Sequence, residues 1–182
     1  MARKKTFPSL QFLFCNKFFK GLAASTKIIG YARSPLNDEE LRERLRPTLA
    51  SGEKCDKEAF LDICTYISGS YDDAEGYEKL EAAIKAHEAE QPCCPAGRLY
   101  YLALPPSVYP QVCEGLKKYC DGVTDNPKSW IRVVVEKPFG RDVDTSEELA
   151  EQLGALYPEN QLYRIDHYLG KEMLQSLFVS HA

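Results

Sequence analysis

A chain of 182 residues, 44% hydrophobic and 27% charged, can bury one substantial core, and its composition excludes disorder at large. A formal net charge of -4 and a pI near 5.5 give no general electrostatic reason to bind nucleic acid or a membrane surface; a local basic patch can still receive a phosphorylated small molecule. The seven cysteines (Cys15, Cys55, Cys64, Cys93, Cys94, Cys113 and Cys120) are scattered and lack the paired C-x-x-C spacing of a zinc site. They read as reduced thiols of an intracellular protein, with Cys93-Cys94 in a proline-flanked loop either idle or redox-active. Arg3, Lys4 and Lys5 precede a mixed aromatic run without the apolar stretch and cleavage site of a secretion signal, and no run is long enough to span a bilayer.

Pro8 in a first turn and Leu10, Phe14, Phe18 and Phe19 at helical spacing predict an amphipathic helix over Thr6–Phe19. Lys27–Tyr31 reads as a short buried strand. Asn37, followed three residues later by Glu40, is a capping signal for a charged helix through Leu49. A short helix from Lys57 to about Cys64 leads into a strand over Tyr66–Ser68. Residues Ala74–Ala89 then form a helix with Tyr77, Leu80, Ala83 and Ile84 inward. The proline-rich run through Gly97 is a loop, after which Arg98–Leu104 is a strand ended by Pro105-Pro106, and Val108–Tyr119 is a helix. Ile131–Val135, with four β-branched residues in five, is the clearest strand in the chain. A turn at Glu136–Gly140 precedes a helix that Thr145 or Ser146 can cap and that buries Leu149, Leu153 and Leu156. Gln161–Arg164 is the last strand.

This alternation argues for an α/β fold, a parallel sheet covered on both faces, in which ligands sit beyond the carboxyl ends of the strands. Arg33-Ser34, Pro105-Pro106, Lys137-Pro138 and Asp166–Lys171 all fall at such ends. Each has a plain alternative. Arg33 either meets a ribose 2′-phosphate or is solvated; Pro105 and Pro106 either hold backbone against a coenzyme or punctuate a helix. Lys137, kept extended by the proline after it, either faces the ligand rim or is an ordinary loop lysine. In Arg164–Met173 an acid, an imidazole, a phenol and an ammonium crowd together. If a helix starts at Asp166, His167 and Lys171 share a face beside N-terminal N–H groups and form a cradle for a phosphate; otherwise Asp166 caps an exposed helix.

The nine residues Arg164-Ile165-Asp166-His167-Tyr168-Leu169-Gly170-Lys171-Glu172 resemble the substrate-binding signature of glucose-6-phosphate dehydrogenase. Val135–Asp142, Tyr101–Pro106 and Gly30–Ser34 resemble further motifs of that family, in the family's order. The resemblance implies an incomplete Rossmann-like, doubly wound and mostly parallel sheet over residues 1–170, with residues 171–182 the start of a C-terminal β+α domain. It implies oxidation of D-glucose 6-phosphate to 6-phosphogluconolactone with reduction of NADP, in the oxidative pentose phosphate pathway and the cytoplasm. Carried over, Arg33 and Ser34 meet the 2′-phosphate, and Pro105, Tyr109 and Lys137 lie on the coenzyme. Lys137 also touches sugar, while His167, Tyr168, Leu169, Gly170 and Lys171 hold the phosphosugar and Pro138 is a flexing point.

Two departures from the family set further expectations. The chain starts at Met1-Ala2-Arg3-Lys4-Lys5, inside the Gly-rich turn that follows the family's first strand, so that strand is expected to be missing. The likeness stops after Leu177, so the C-terminal domain and the family's general-base His are expected to be absent, which leaves no catalytic residue in the chain. Three readings follow: an enzyme by descent that is inactive as it stands, a non-catalytic fragment that binds phosphosugar or associates with full-length subunits, or an unrelated phosphosugar-binding module. A homo-oligomer is compatible with all three.

Overall fold

The computed structural model describes residues 25–49, 56–90, 95–122, 127–137, 139–140 and 142–165. The helix expected over Thr6–Phe19, Pro138 and the Asp166–Lys171 stretch lie outside the described residues. The chain divides into two compact units, Met1–Glu90 and Gln91–Ala182.

The first unit runs β1 (Ile28–Ala32), α1 (Asp38–Leu45), α2 (Lys57–Asp62), β2 (Cys64–Ser68) and α3 (Ala74–Ala89). Asn37 forms the expected capping box: its Oδ1 accepts from the Glu40 amide and the Glu40 Oε2 accepts from the Asn37 amide, both at 2.9 Å. Asp56 and Asp73 cap α2 and α3 through the Ala59 and Gly76 amides. The core consists of Leu41, Leu45, Leu49, Phe60, Leu61 and Cys64, with Ile28, Ile63 and Tyr66 packed against it.

β1 and β2 are parallel, with Ile28 opposite Cys64 and Ala32 opposite Ser68. β2 starts two residues before the expected Tyr66 because pairing with β1 recruits Cys64 and Thr65, and the preceding helix stops at Asp62. In α3, Tyr77 and Leu80 are buried as expected while Ala83 and Ile84 are half-buried. Glu81 is buried instead, since it falls four residues after Tyr77 on the same stripe, and its carboxylate meets Lys85 at 3.3 Å.

The second unit runs β3 (Gly97–Leu102), α4 (Tyr109–Tyr119), β4 (Trp130–Glu136), α5 (Val143–Leu156) and β5 (Leu162–Ile165). Its three strands are parallel in the order β3-β4-β5, with Gly97 opposite Trp130 and Glu136 opposite Ile165. Among the described residues, β1 and β3 each have one strand neighbour. Alternation along the strands separates two faces. One face carries Arg98, Leu102, Ile131, Val133, Val135 and Leu162, all buried. Val112, Cys113 and Leu116 of α4 and Leu149 and Leu153 of α5 are buried as well. Tyr157, just past α5, joins them at 1% exposure, a position the leucine stripe did not reveal; Leu156 is only half-buried. The other face carries Leu99, Tyr101, Trp130, Arg132, Val134 and Tyr163.

Helix α5 is capped by Asp142, not by Thr145 or Ser146. The Asp142 Oδ1 accepts from the Thr145 amide at 2.9 Å, and the Thr145 Oγ1 accepts from the Asp142 amide at 3.2 Å. Both hydroxyl residues sit inside the first turn because the helix already begins at Val143. Hydrogen bonds from the Thr145 hydroxyl and amide hold the Asp142 carboxyl below the usual aspartate range. A carboxyl held low stabilises the fold above its unfolded pKa of about 4, and that contribution is lost as pH falls through the lowered value. Asp142→Asn keeps the capping oxygen and removes the charge. Urea unfolding followed between neutral and acid pH is expected to show a shallower acid limb for Asp142→Asn with little change at neutral pH; parallel limbs would contradict the cap.

Candidate functional site

Each unit presents its motif residues at the carboxyl ends of its strands. In the first unit, Arg33 and Ser34 leave β1 exposed. Backbone contacts fix the loop beneath them. The Tyr66 hydroxyl donates to the Ser34 carbonyl at 2.8 Å and the Ala32 carbonyl at 3.2 Å, and the Leu36 amide donates to Ser34 at 2.9 Å. The Arg33 guanidinium lies 5.4 Å from the centroid of the Tyr71 ring. Tyr71 in turn lies 6.0 Å from Tyr31, which is 5.4 Å from Tyr77 and donates to the Ser70 carbonyl at 2.5 Å.

Gly69 makes this stack possible, because a Cβ there would lie 2.6 Å from the Tyr31 ring. Burial pushes the Tyr71 phenol up, with Arg33 pulling it back down. The result is an exposed cation seated on an aromatic platform, with a hydroxyl residue beside it, which suits a phosphate group. Sequence reasoning named Arg33 and missed Tyr71, whose only signal is its place before the Asp73 cap of α3.

In the second unit, Pro105 is exposed and starts a 3-10 turn, Pro106–Val108, in which the Val108 amide donates to the Pro105 carbonyl at 3.0 Å. Tyr109 is fully buried. Its hydroxyl donates to the Glu136 carbonyl at 3.1 Å and accepts from the Glu136 amide at 3.2 Å. Burial pushes the Tyr109 phenol up, and its bond to Glu136 lowers it in part. From the opposite face of the sheet, the Tyr101 hydroxyl donates to Glu136 Oε1 at 2.5 Å. Glu136 is therefore gripped at its amide, carbonyl and carboxylate, and exposed Lys137 leaves the strand next. The Lys137 amide donates to the Ile165 carbonyl at 3.0 Å. Ile165, the second residue of the Arg164–Glu172 motif, thus lies beside Lys137.

The clamp residues Tyr101 and Glu136 were not visible as such in the sequence, since they meet only through a strand register that sequence does not fix. His167, Tyr168, Leu169, Gly170 and Lys171 lie outside the described residues, so their cradle is not seen. Cys64, Cys113 and Cys120 are free and buried, and burial pushes the Cys64 and Cys113 thiols up to about 12. That fits idle thiols; the other four cysteines lie outside the described residues. Among the described residues no cluster of three His, Cys, Asp or Glu side chains could hold a metal ion, and no helix is long and apolar enough to cross a membrane.

Comparison with known proteins matches the sequence motifs. The family model described as glucose-6-phosphate dehydrogenase, NAD binding domain, matches residues 1–176. The cytoplasmic isoform of glucose-6-phosphate 1-dehydrogenase from Solanum tuberosum is 47% identical over 98% of this chain and 35% of its own length. Glucose-6-phosphate 1-dehydrogenase of Saccharomyces cerevisiae is 45% identical over the same shares. A solved glucose-6-phosphate dehydrogenase in complex with its substrate glucose-6-phosphate superposes with a TM-score of 0.83 at 45% identity, covering 97% of this chain and 36% of that one. The Mycobacterium avium enzyme superposes with a TM-score of 0.68 at 31% identity, over 93% of this chain and 34% of that one. The chain spans about a third of the length of these relatives. The α/β fold with its parallel sheets is accordingly that of a Rossmann-like dinucleotide-binding domain, and the ligand it implies is a nicotinamide dinucleotide. From the matched model, the shared identity and the superposed fold together, the chain belongs to the glucose-6-phosphate dehydrogenase family.

Proposed function

We propose that this chain is the coenzyme-binding part of a glucose-6-phosphate dehydrogenase, oxidising D-glucose 6-phosphate to 6-phosphogluconolactone with NADP as hydride acceptor. The observation that carries this reading is the bond between the Lys137 amide and the Ile165 carbonyl. It puts Lys137 beside Ile165, within the nine residues that resemble the family's substrate signature, and so supports a lysine shared by coenzyme and sugar.

NADP, when bound, supplies the nicotinamide that accepts hydride. Arg33 and Ser34 hold its 2′-phosphate, with Tyr71 behind Arg33 fixing the guanidinium plane. Pro105 lines the coenzyme path. Tyr109, buried beneath, serves it by holding the β4 end in place. Lys137 faces both coenzyme and sugar; His167, Tyr168, Leu169, Gly170 and Lys171 hold and orient the phosphosugar. Hydride loss from C1 also requires a base for the C1 hydroxyl proton. No residue of the described site fills that role, so these 182 residues alone are expected to bind ligands without turning them over.

Arg33→Ala is expected to weaken NADP binding by roughly 10- to 100-fold, the worth of charge-assisted bonds of about 1.5–3 kcal/mol, while NAD binding stays within about twofold. Calorimetric titration of the 182-residue protein with each coenzyme reads the difference. Equal losses for NADP and NAD would remove the 2′-phosphate assignment.

A further inference from the structure

The carboxyl end of β4 overhangs its neighbour. Among the described residues, β3 stops pairing at Leu102, opposite Val135, so the strand partner of Glu136 is Ile165 of β5, on the other side. Along a strand the N–H and C=O of one residue point to the same edge and those of the next residue to the opposite edge. The Lys137 amide turns toward β5, where it donates to the Ile165 carbonyl. The main-chain groups of Glu136 therefore face the edge that β3 has left, and there the Tyr109 hydroxyl takes both of them, at 3.1 and 3.2 Å. A phenol from α4 stands in for a strand.

The Glu136 side chain is anchored too. Tyr101 lies opposite Val134, two residues before Glu136, and so reaches it diagonally across the β3 and β4 pair. Its hydroxyl donates to Glu136 Oε1 at 2.5 Å. Both residues are half-buried. A half-buried carboxylate at a strand end can be hydrated, so exchanging water for this phenol adds little stability. What it adds is restraint: the residue before Lys137 is held by main chain and side chain together, at the one place where the sheet no longer holds it from the β3 side.

We infer that Tyr101 and Glu136 are positioning residues for Lys137, the bond between phenol and carboxylate holding the overhanging end of β4 so that the lysine leaves it toward the ligands in a set direction. This deepens the functional reading above and rests on it, since that reading gives Lys137 to both coenzyme and sugar. Neither positioning residue has to touch a ligand; their effect is preorganisation of one that does.

Calorimetric titration of the 182-residue chain with NADP and with glucose 6-phosphate reads the effect. Tyr101→Phe and Glu136→Leu are each expected to weaken both ligands by roughly three- to tenfold, and the double variant no further, because both changes break one bond. Glu136→Gln keeps an acceptor oxygen and is expected to stay within about twofold of the parent. In a Lys137→Met background the loss from Tyr101→Phe is expected to vanish, which a general loosening of the sheet would not produce. Three results would overturn the inference: a loss that persists without Lys137, a Glu136→Gln variant as impaired as Glu136→Leu, or full binding by Tyr101→Phe. Backbone NMR relaxation at the Lys137 amide of the ligand-free chain supplies a readout apart from binding. Mobility there is expected to rise in Tyr101→Phe and Glu136→Leu and to stay at the parent level in Glu136→Gln. Unchanged mobility would overturn the positioning role whether or not coenzyme binds, whereas raised mobility in a chain whose parent form binds neither ligand would remove the functional reading and leave the hold on Lys137 standing.

Discussion

Arg98→Met is expected to destabilise the second unit by about 3 kcal/mol, because it removes the charged donors of a buried side chain. Arg98 is 4% exposed on the covered face of β3. Its Nη1 donates to the Cys120 carbonyl at 2.8 Å and its Nη2 to the Gly122 carbonyl at 3.0 Å, while the Tyr100 hydroxyl also donates to Cys120 at 2.7 Å. Cys120 is the C-cap of α4, whose terminal carbonyls have no partner within the helix and carry the negative end of its dipole. The guanidinium therefore does from a neighbouring strand what a capping residue does locally. Methionine keeps most of the apolar stem but leaves the Gly122 acceptor without this donor. Tyr100→Phe is expected to cost about 1 kcal/mol alone and more when Arg98 is absent, since the two donors share one oxygen. Urea unfolding of the two single variants and the double variant measures this. A change under about 0.5 kcal/mol for Arg98→Met would show that the cap is dispensable.

Tyr109→Phe is expected to cost about 2 kcal/mol although it removes a single oxygen. The phenol both donates to and accepts from the backbone of Glu136, so its loss takes this partner from two half-buried main-chain groups at once. The damage is expected to be local. Hydrogen exchange at the Glu136 and Lys137 amides should quicken while the middle of β4 stays protected, and unchanged exchange there would mean that the hydroxyl does not hold the strand end. Burial also raises the Tyr109 pKa, so its contribution is complete below the ordinary tyrosine value of about 10 and fades as pH climbs through the raised one. Tyr157 is raised for the same reason and adds to the loss of stability in alkali.

The order of elements was legible because each is short, periodic and bounded by strong signals. Asn37 with Glu40, the prolines after β3 and the β-branched run of β4 each name an element without help from the rest of the chain. What failed to show depends on partners distant in sequence. Pairing with β1 moves the start of β2 back to Cys64, and the entry geometry of α5 makes Asp142 its cap. The same division holds at the site. Arg33 and Lys137 are conspicuous by position, whereas Tyr71 matters only because packing brings it to Arg33, and Tyr101 and Glu136 only because strand register brings them together. Arg98 reads as a surface charge at the start of a strand. Only the helix end beneath it explains why it is inside.

The amide-to-carbonyl link between Lys137 and Ile165 has an evolutionary corollary. Adjacent strands stand about 4.8 Å apart whatever side chains they bear, so the sheet itself acts as a ruler between the strand ends that lead into the two proposed ligand grips. On that proposal, drift in either loop retunes affinity for one ligand, but the span between the two strand ends is written in main-chain geometry, and only an insertion or deletion within β4 or β5 could redraw it.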